Sequence, residues 1–167
     1  MSMYVCYCVL NNGSGSLRIV RRLSKLQEYY EKISEPKLPQ QAFVYGDGEA
    51  SCLPFQTYPK GWRTGMNAGM ARCRLQDLLA LSWRILDCAM RKQPEAAFKL
   101  IILGDASVRA EEESVNLTGE RLKELKEKGL EIIFVCCSPD ACSGKLETLV
   151  SKEICDGEDI TAALGGS

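Results

Sequence analysis

The feature that most constrains this chain is the alternation of short apolar runs with segments of helical periodicity. Residues 4–10, 98–103 and 130–137 are apolar runs of the kind found in strands buried on both faces. Apolar side chains recur at helical spacing over residues 17–33 and 75–89. With the segments below, the predicted order is β-α-β-β-α-β-α-β-α. This order predicts an α/β fold, a doubly wound, mostly parallel sheet in a Rossmann-like three-layer α/β/α arrangement.

The remaining segments predict shorter elements. Residues 42–45 and 51–58 flank a Gly46-Asp47-Gly48 turn, which predicts an antiparallel hairpin, and Pro54 places its second strand at the sheet edge. We expect a helix over residues 118–128, with Thr118 as its N-cap. A further helix is expected over 144–151 and a helical turn over 159–164. The run at 130–137 is the last strand that the pattern predicts.

Composition limits the classes of function. The 167 residues fit a single domain, residues 1–167, and the net charge of −1 offers no basic field for nucleic acid. No apolar run approaches the length of about 18 residues that spans a membrane. The first residues lack the basic start and long apolar core of a signal peptide. These observations predict a cytoplasmic protein.

Nine cysteines are the most unusual part of the composition. Cys6, Cys8, Cys136 and Cys137 fall in strand-like runs, and Cys88 falls on a helix position expected to be buried. An odd count of such residues favours free thiols in a reducing compartment. The chain has no histidine and no paired Cys-x-x-Cys spacing, and Cys137-x4-Cys142 is a poor match to a zinc site.

The best candidate for a binding or catalytic site is the glycine-spaced turn predicted over residues 11–16, which follows the first strand. Ligands of open α/β sheets bind at such strand ends. As a phosphate cradle the turn has two of the three required glycines, with Arg18 at the third position. As a nucleophile, Ser14 or Ser16 has no histidine base anywhere in the chain. Ser16, directly before Leu17, also fits a helix N-cap.

The third interpretation rests on a resemblance. The chain has Asn12-x-Ser14-x-Ser16 after its first strand, Ala71-Arg72-Cys73-Arg74 before its central helix, and Leu103-Gly104-Asp105 after the next strand. This pattern resembles the von Willebrand factor A (VWA) family, whose metal-ion-dependent adhesion site has Asp-x-Ser-x-Ser, a threonine and Asp-Gly at these places. The resemblance implies a VWA-like fold and no catalytic residues.

The departures from the family pattern weaken the implied metal site. Asn12 replaces an acid and Cys73 replaces the threonine (Thr64 is a less well-aligned substitute), so Asp105 alone keeps its charge. By resemblance, Ser14, Ser16 and Asp105 would coordinate Mg²⁺ or Mn²⁺, with Asn12 acting through water. Mg²⁺ prefers carboxylate oxygens and water, and a neutral thiol is a poor ligand for it. We therefore expect weak or absent metal binding.

The resemblance also implies a non-enzymatic adaptor that binds another protein, which can itself supply a carboxylate. The expected binding face is the carboxyl end of the sheet, formed by residues 12–16, 62–73 and 105–113. Interfaces are enriched in the residue types found in the middle loop, namely Trp62, Arg63, Met66, Asn67 and Met70. For Trp62 the alternative is a side chain folded back onto the core. For the whole protein the alternative is a nucleotide- or phosphate-binding enzyme that uses the 12–16 turn.

Overall fold

The computed structural model describes residues 2–10, 16–33, 38–46, 48–59, 61–62, 73–104, 116–137, 149–155 and 158–163. Within these ranges the strands are β1 (Met3–Val9), β2 (Gln40–Gly46), β3 (Ala50–Gln56), β4 (Ala97–Gly104), β5 (Glu131–Cys136) and β6 (Lys152–Ile154). The helices are α1 (Ser16–Glu31), α2 (Leu75–Lys92), α3 (Asn116–Glu127) and a 3-10 turn, Ile160–Ala163.

The strands form one six-stranded sheet in the order β3-β2-β1-β4-β5-β6. All neighbours are parallel except β2 and β3, which form the predicted antiparallel hairpin with β3 at the edge. The sequence-based prediction of fold class is therefore confirmed. The strand order reverses between β1 and β4, and this is the switch point at which open α/β sheets bind ligands.

Alternating side chains of the strands build two separate cores, one on each face of the sheet. On one face Cys6, Cys8 and Val44 pack with α2 and α3. On the other face Tyr7 and Phe43 pack with α1 and the 3-10 turn. Residues 5–9 of β1 are fully buried because helices cover both sides of this central strand.

Several local predictions were wrong. Helix α3 begins at Asn116, so Thr118 lies inside its first turn and is not its N-cap. Leu149–Ser151 is not helical, and residues 144–148 lie outside the described part of the chain. An unpredicted strand, β6, follows and pairs with β5 through Ile133 and Lys152. This strand is short and mostly polar, with only Ile154 buried, and so leaves no apolar pattern in the sequence.

Cys88 is exposed, contrary to expectation. The buried stripe of α2 runs through Leu75, Leu78, Leu79, Ser82 and Leu86. Cys88 follows Leu86 by two residues, about 200° around the helix, and so points away from the core. No helix in the described part of the chain is long and apolar enough to cross a membrane.

Candidate functional site

The ends of β1 and β4 lie side by side at the switch point. Val9 pairs with Leu103, and the Leu10 amide donates a hydrogen bond to the Leu103 carbonyl at 2.8 Å. The Cys137 amide donates to the Gly104 carbonyl at 2.8 Å, which extends the pairing to the end of β5. The segments 11–15 and 105–115 therefore depart from neighbouring strand ends. Their residues Asn12, Ser14 and Asp105, predicted as metal ligands, lie outside the described residues.

Ser16 is the first residue of α1. The helix returns from the carboxyl edge of the sheet towards the amino edge, as the right-handed β1-α1-β2 connection requires. Its N-terminus is thereby placed at the carboxyl edge, directly after residue 15 in the sequence. Of the predicted ligands, Ser16 is thus at the expected edge.

Cys73 lies at the same edge, beside the end of β2. It directly precedes Arg74, the N-cap of α2, and its side chain is 6% exposed. A Cβ atom placed on Gly46, the last residue of β2, would lie 2.3 Å from the Cys73 Cβ atom. Cys73 belongs to the same core cluster as Cys8 and Leu10 of the β1 end. Its side chain packs as a small buried residue, and its thiol donates a weak hydrogen bond to the Arg74 carbonyl at 3.8 Å.

Two further thiols lie below this edge on the same face of β1. Burial raises the pKa of Cys6 well above its ordinary value, and the neighbouring Cys8 adds to the effect. Burial likewise raises the pKa of Cys8 from 9.0 to about 12, against the lowering effect of the Ser82 hydroxyl. Ser82 itself donates a hydrogen bond to the Leu78 carbonyl at 2.8 Å. Both thiols therefore stay protonated near neutral pH and supply neither a thiolate ligand nor a nucleophile.

The Trp62 side chain is folded back onto the core, which was the alternative to its predicted role in partner binding. It is 8% exposed and stacks on Phe43 of β2, with ring centroids 5.9 Å apart and planes inclined by 12°. The loop that contains Trp62 was expected to emerge at the carboxyl edge of the sheet. That expectation was wrong for the beginning of the loop, where Trp62 lies. Strand β3 runs antiparallel, and its last residue, Gln56, pairs with Gln41 at the start of β2. The loop therefore begins at the amino edge and reaches the carboxyl edge at Cys73.

The other predicted partner-binding residues, Arg63, Met66, Asn67 and Met70, lie outside the described part of the chain. So does Cys142, the second residue of the poor zinc match, whereas Cys137 is buried. Within the described ranges no group of three or more cysteine or acidic side chains is placed to hold a metal ion.

Sequence reasoning missed a buried arginine at the carboxyl edge. Arg22 of α1 is 8% exposed and donates to the backbone carbonyls of Cys155, at 2.9 Å, Cys136, at 3.5 Å, and Glu158. It connects α1 with the end of β5 and the segment after β6. The signal was present, because Arg22 lies between Ile19 and Leu26 on the apolar stripe of the helix, where a charge needs a partner.

No protein-family model and no curated protein matches the sequence. Comparison with solved structures finds chains of similar fold. One matching structure is proximal thread matrix protein 1 from the mussel byssus, in which zinc occupies the metal-ion-dependent adhesion site motif. The TM-score is 0.57 at 11% sequence identity, and the match covers 95% of this chain. The chain spans 42% of the length of that protein, and at this identity the likeness concerns the fold alone.

Proposed function

We propose that this chain is a non-enzymatic, VWA-like adaptor that binds a partner protein at the carboxyl end of its sheet. The observation that carries the proposal is the juxtaposition at the switch point. The Leu10 amide bonds to the Leu103 carbonyl at 2.8 Å, so the segments that contain Ser14 and Asp105 start from adjacent strand ends. That is the arrangement needed for hydroxyls and a carboxylate to act on one ion or one partner side chain.

The donor set at this edge fits, at best, a weakly held divalent cation. By the resemblance, the donors would be one carboxylate, from Asp105, the hydroxyls of Ser14 and Ser16, and the amide of Asn12. Oxygen donors suit Mg²⁺ or Mn²⁺, but a single carboxylate provides less attraction than a pair. The thiol of Cys73, packed against Gly46, adds no hard donor. A partner carboxylate would supply the missing charge, so we expect metal and partner to bind together.

The proposal of a non-enzymatic role rests on the side chains available. The chain has no histidine to act as a general base near neutral pH. Burial holds Cys6 and Cys8 in the protonated form. Two usual parts of a nucleophilic site, a histidine base and a reactive thiolate on β1, are therefore missing.

One observation favours a second candidate, a nucleotide- or phosphate-binding protein. The strand order β3-β2-β1-β4-β5-β6 is also that of dinucleotide-binding folds. In addition, α1 begins directly after the glycine-spaced turn, and backbone amides at a helix N-terminus bind anions. Tight nucleotide binding without a response to metal would favour this candidate.

Metal titration tests the proposed site. We expect weak, saturable binding of Mn²⁺ by calorimetry, abolished by Asp105→Ala and retained in Asp87→Asn. Asp87 is a matched control because it lies near the end of α2, paired with Arg91. The double variant Asn12→Asp/Cys73→Thr restores the family donors and should tighten binding at least about tenfold, since it adds a carboxylate. No gain in that variant would contradict a metal site at this edge.

The partner proposal needs a separate experiment. The wild type, Asp105→Ala and Asp87→Asn are each immobilised, and proteins retained from a cell extract are compared by mass spectrometry with and without Mn²⁺. We expect at least one protein that binds the wild type and the Asp87 variant but not the Asp105 variant, and whose binding is confirmed with purified components. Equal retention by all three would contradict partner binding through Asp105.

A further inference from the structure

A second concave site lies at the amino edge of the sheet, opposite to the switch point. It is a cavity of about 190 Å³ between the C-terminal end of α1 and the segment after β3. Its lining includes Tyr30 and Glu31 from α1, Gln41 from β2, and Tyr58 and Trp62 from beyond β3. The cavity is smaller than the roughly 300 Å³ at which ordinary drug-sized pockets begin, and it suits a compact head group.

Three aromatic side chains line this cavity. Trp62 is held in place by its stack on Phe43, and Tyr30 is buried with its hydroxyl 3.4 Å from that of Tyr7. Tyr58 is 56% exposed and stands at the rim. The faces of aromatic rings carry partial negative charge, so several rings around one small space attract a cation.

Among the described residues that line the cavity, the one charged side chain has the same sign as the ring faces. Apart from the tyrosines, Glu31 is the one titratable side chain among the described lining residues. Helix α1 ends at Glu31 and has no basic residue in its last turn. The negative end of the helix dipole therefore adds to the carboxylate instead of being offset. Lys32 follows directly but is exposed and is not part of the lining.

The floor of the cavity is fixed by hydrogen bonds. Gln41 is 1% exposed, and its Oε1 atom accepts hydrogen bonds from the Tyr7 hydroxyl and from Gln27 Nε2, each at 2.9 Å. Both amide groups are thereby oriented in the free protein. A rigid floor lowers the entropy cost of ligand binding.

We propose that this cavity binds an organic ammonium group, with the aromatic rings around its methyl groups and Glu31 opposite its charge. The group can belong to a methylated lysine of a protein or to a free small molecule such as choline, and both sources present the same chemistry. The site is separate from the carboxyl edge and does not depend on the function proposed for that edge.

Tryptophan fluorescence of a Trp83→Phe background tests the proposal, because Trp62 is then the single tryptophan. The probes are choline, a trimethyllysine peptide, and 3,3-dimethylbutanol, the uncharged analogue of choline. We expect saturable changes with the two cations and at least about tenfold weaker binding of the alcohol. Tighter binding of the peptide than of choline assigns the site to a protein partner, and the reverse assigns it to a small molecule.

Matched variants separate the cavity from its surroundings. Tyr58→Ala and Glu31→Gln should each weaken choline binding by about 3- to 30-fold, the range expected for loss of one cation–π or one charge contact. Glu28→Gln, also an exposed position near the end of α1 but not part of the lining, should leave it unchanged. Equal affinity for the alcohol, no response to either cation, or equal effects of all three variants would overturn the proposal.

Discussion

At the scale of single residues, the thiols of β1 show how burial decides chemistry. Cys6 and Cys8 face α2, where burial raises the pKa of both thiols and a hydrogen bond with the Ser82 hydroxyl lowers it by less. Removal from water disfavours a thiolate, so both groups hold their protons to high pH. Their role is packing. Because their pKa values differ between the folded and unfolded states, they make the stability of the fold depend on pH.

This leads to a prediction about alkaline pH. The unfolded Cys8 thiol ionises with an ordinary pKa of 9.0, and the folded one with a pKa of about 12. Between these values the unfolded state binds fewer protons than the folded state, so the free energy of unfolding falls as pH rises. For Cys8 alone the loss is on the order of 1 kcal/mol at pH 10 relative to pH 7. Urea unfolding at both pH values measures it.

The variant Cys8→Ala provides the control for that measurement. It should be less stable at pH 7, because a buried side chain is shortened, yet its loss between pH 7 and pH 10 should be smaller by on the order of 1 kcal/mol. The same pH dependence in the variant and the wild type would show that Cys8 is not responsible.

At the scale of elements, the end of β2 lies very close to the segment directly before α2. Gly46 has no Cβ atom, and the space where one would stand is occupied by the Cβ atom of Cys73. The absence of a side chain at Gly46 thus allows the segment before α2 to pack directly against the sheet edge.

We predict that Gly46→Ala destabilises the fold by at least about 1–3 kcal/mol, the usual cost of overpacking. Cys73→Ala should not rescue it, since the clash is with Cβ, whereas Cys73→Gly should rescue it in part. Gly119→Ala is the matched control, because no atom lies within 4 Å of its added Cβ. There alanine should stabilise helix α3 by about 0.5–1 kcal/mol. Thermal and urea unfolding distinguish these outcomes.

Arg22 is the buried polar contact that the described residues show between α1 and the C-terminal segment, beside the apolar packing of Ile160. Its guanidinium donates to three carbonyls while its Nε atom has no hydrogen-bond partner within the described ranges. We predict that Arg22→Met costs about 2–4 kcal/mol, because charged hydrogen bonds to buried carbonyls are lost.

Arg21→Met is the control for this change, because Arg21 is the exposed neighbour of Arg22 on the same helix. It should change stability by less than about 0.5 kcal/mol. Hydrogen exchange should show faster amide exchange at residues 152–163 in the Arg22 variant alone. Unchanged exchange there would mean that other contacts hold the segment.

At the scale of the whole molecule, the sheet was predictable because its strands repeat an apolar pattern over six or more residues. The runs at β1, β4 and β5 predicted the parallel core, and Pro54 predicted the edge. Strand β6 has three residues and gains its order from pairing with β5, which no local pattern shows.

The candidate site was predictable only in part. Strand ends follow from the fold, so the neighbourhood of Leu10 and Leu103 could be expected. The position of Trp62 could not, since it depends on which way β3 returns and on the stack with Phe43. Burial of Cys73 depends equally on Gly46, a contact between residues distant in the sequence.

The proline in β3 has a consequence for self-association of this protein at high concentration. Among the described strands β3 pairs with β2 alone, and the exposed Pro54 has no amide to offer a further strand. Pro54→Thr should therefore turn that border into a template for recruiting other chains, detected as thioflavin T-positive fibres in mild denaturant, whereas Pro94→Thr should not. The pyrrolidine ring of Pro54 would thus keep a concentrated solution of this protein free of such fibres.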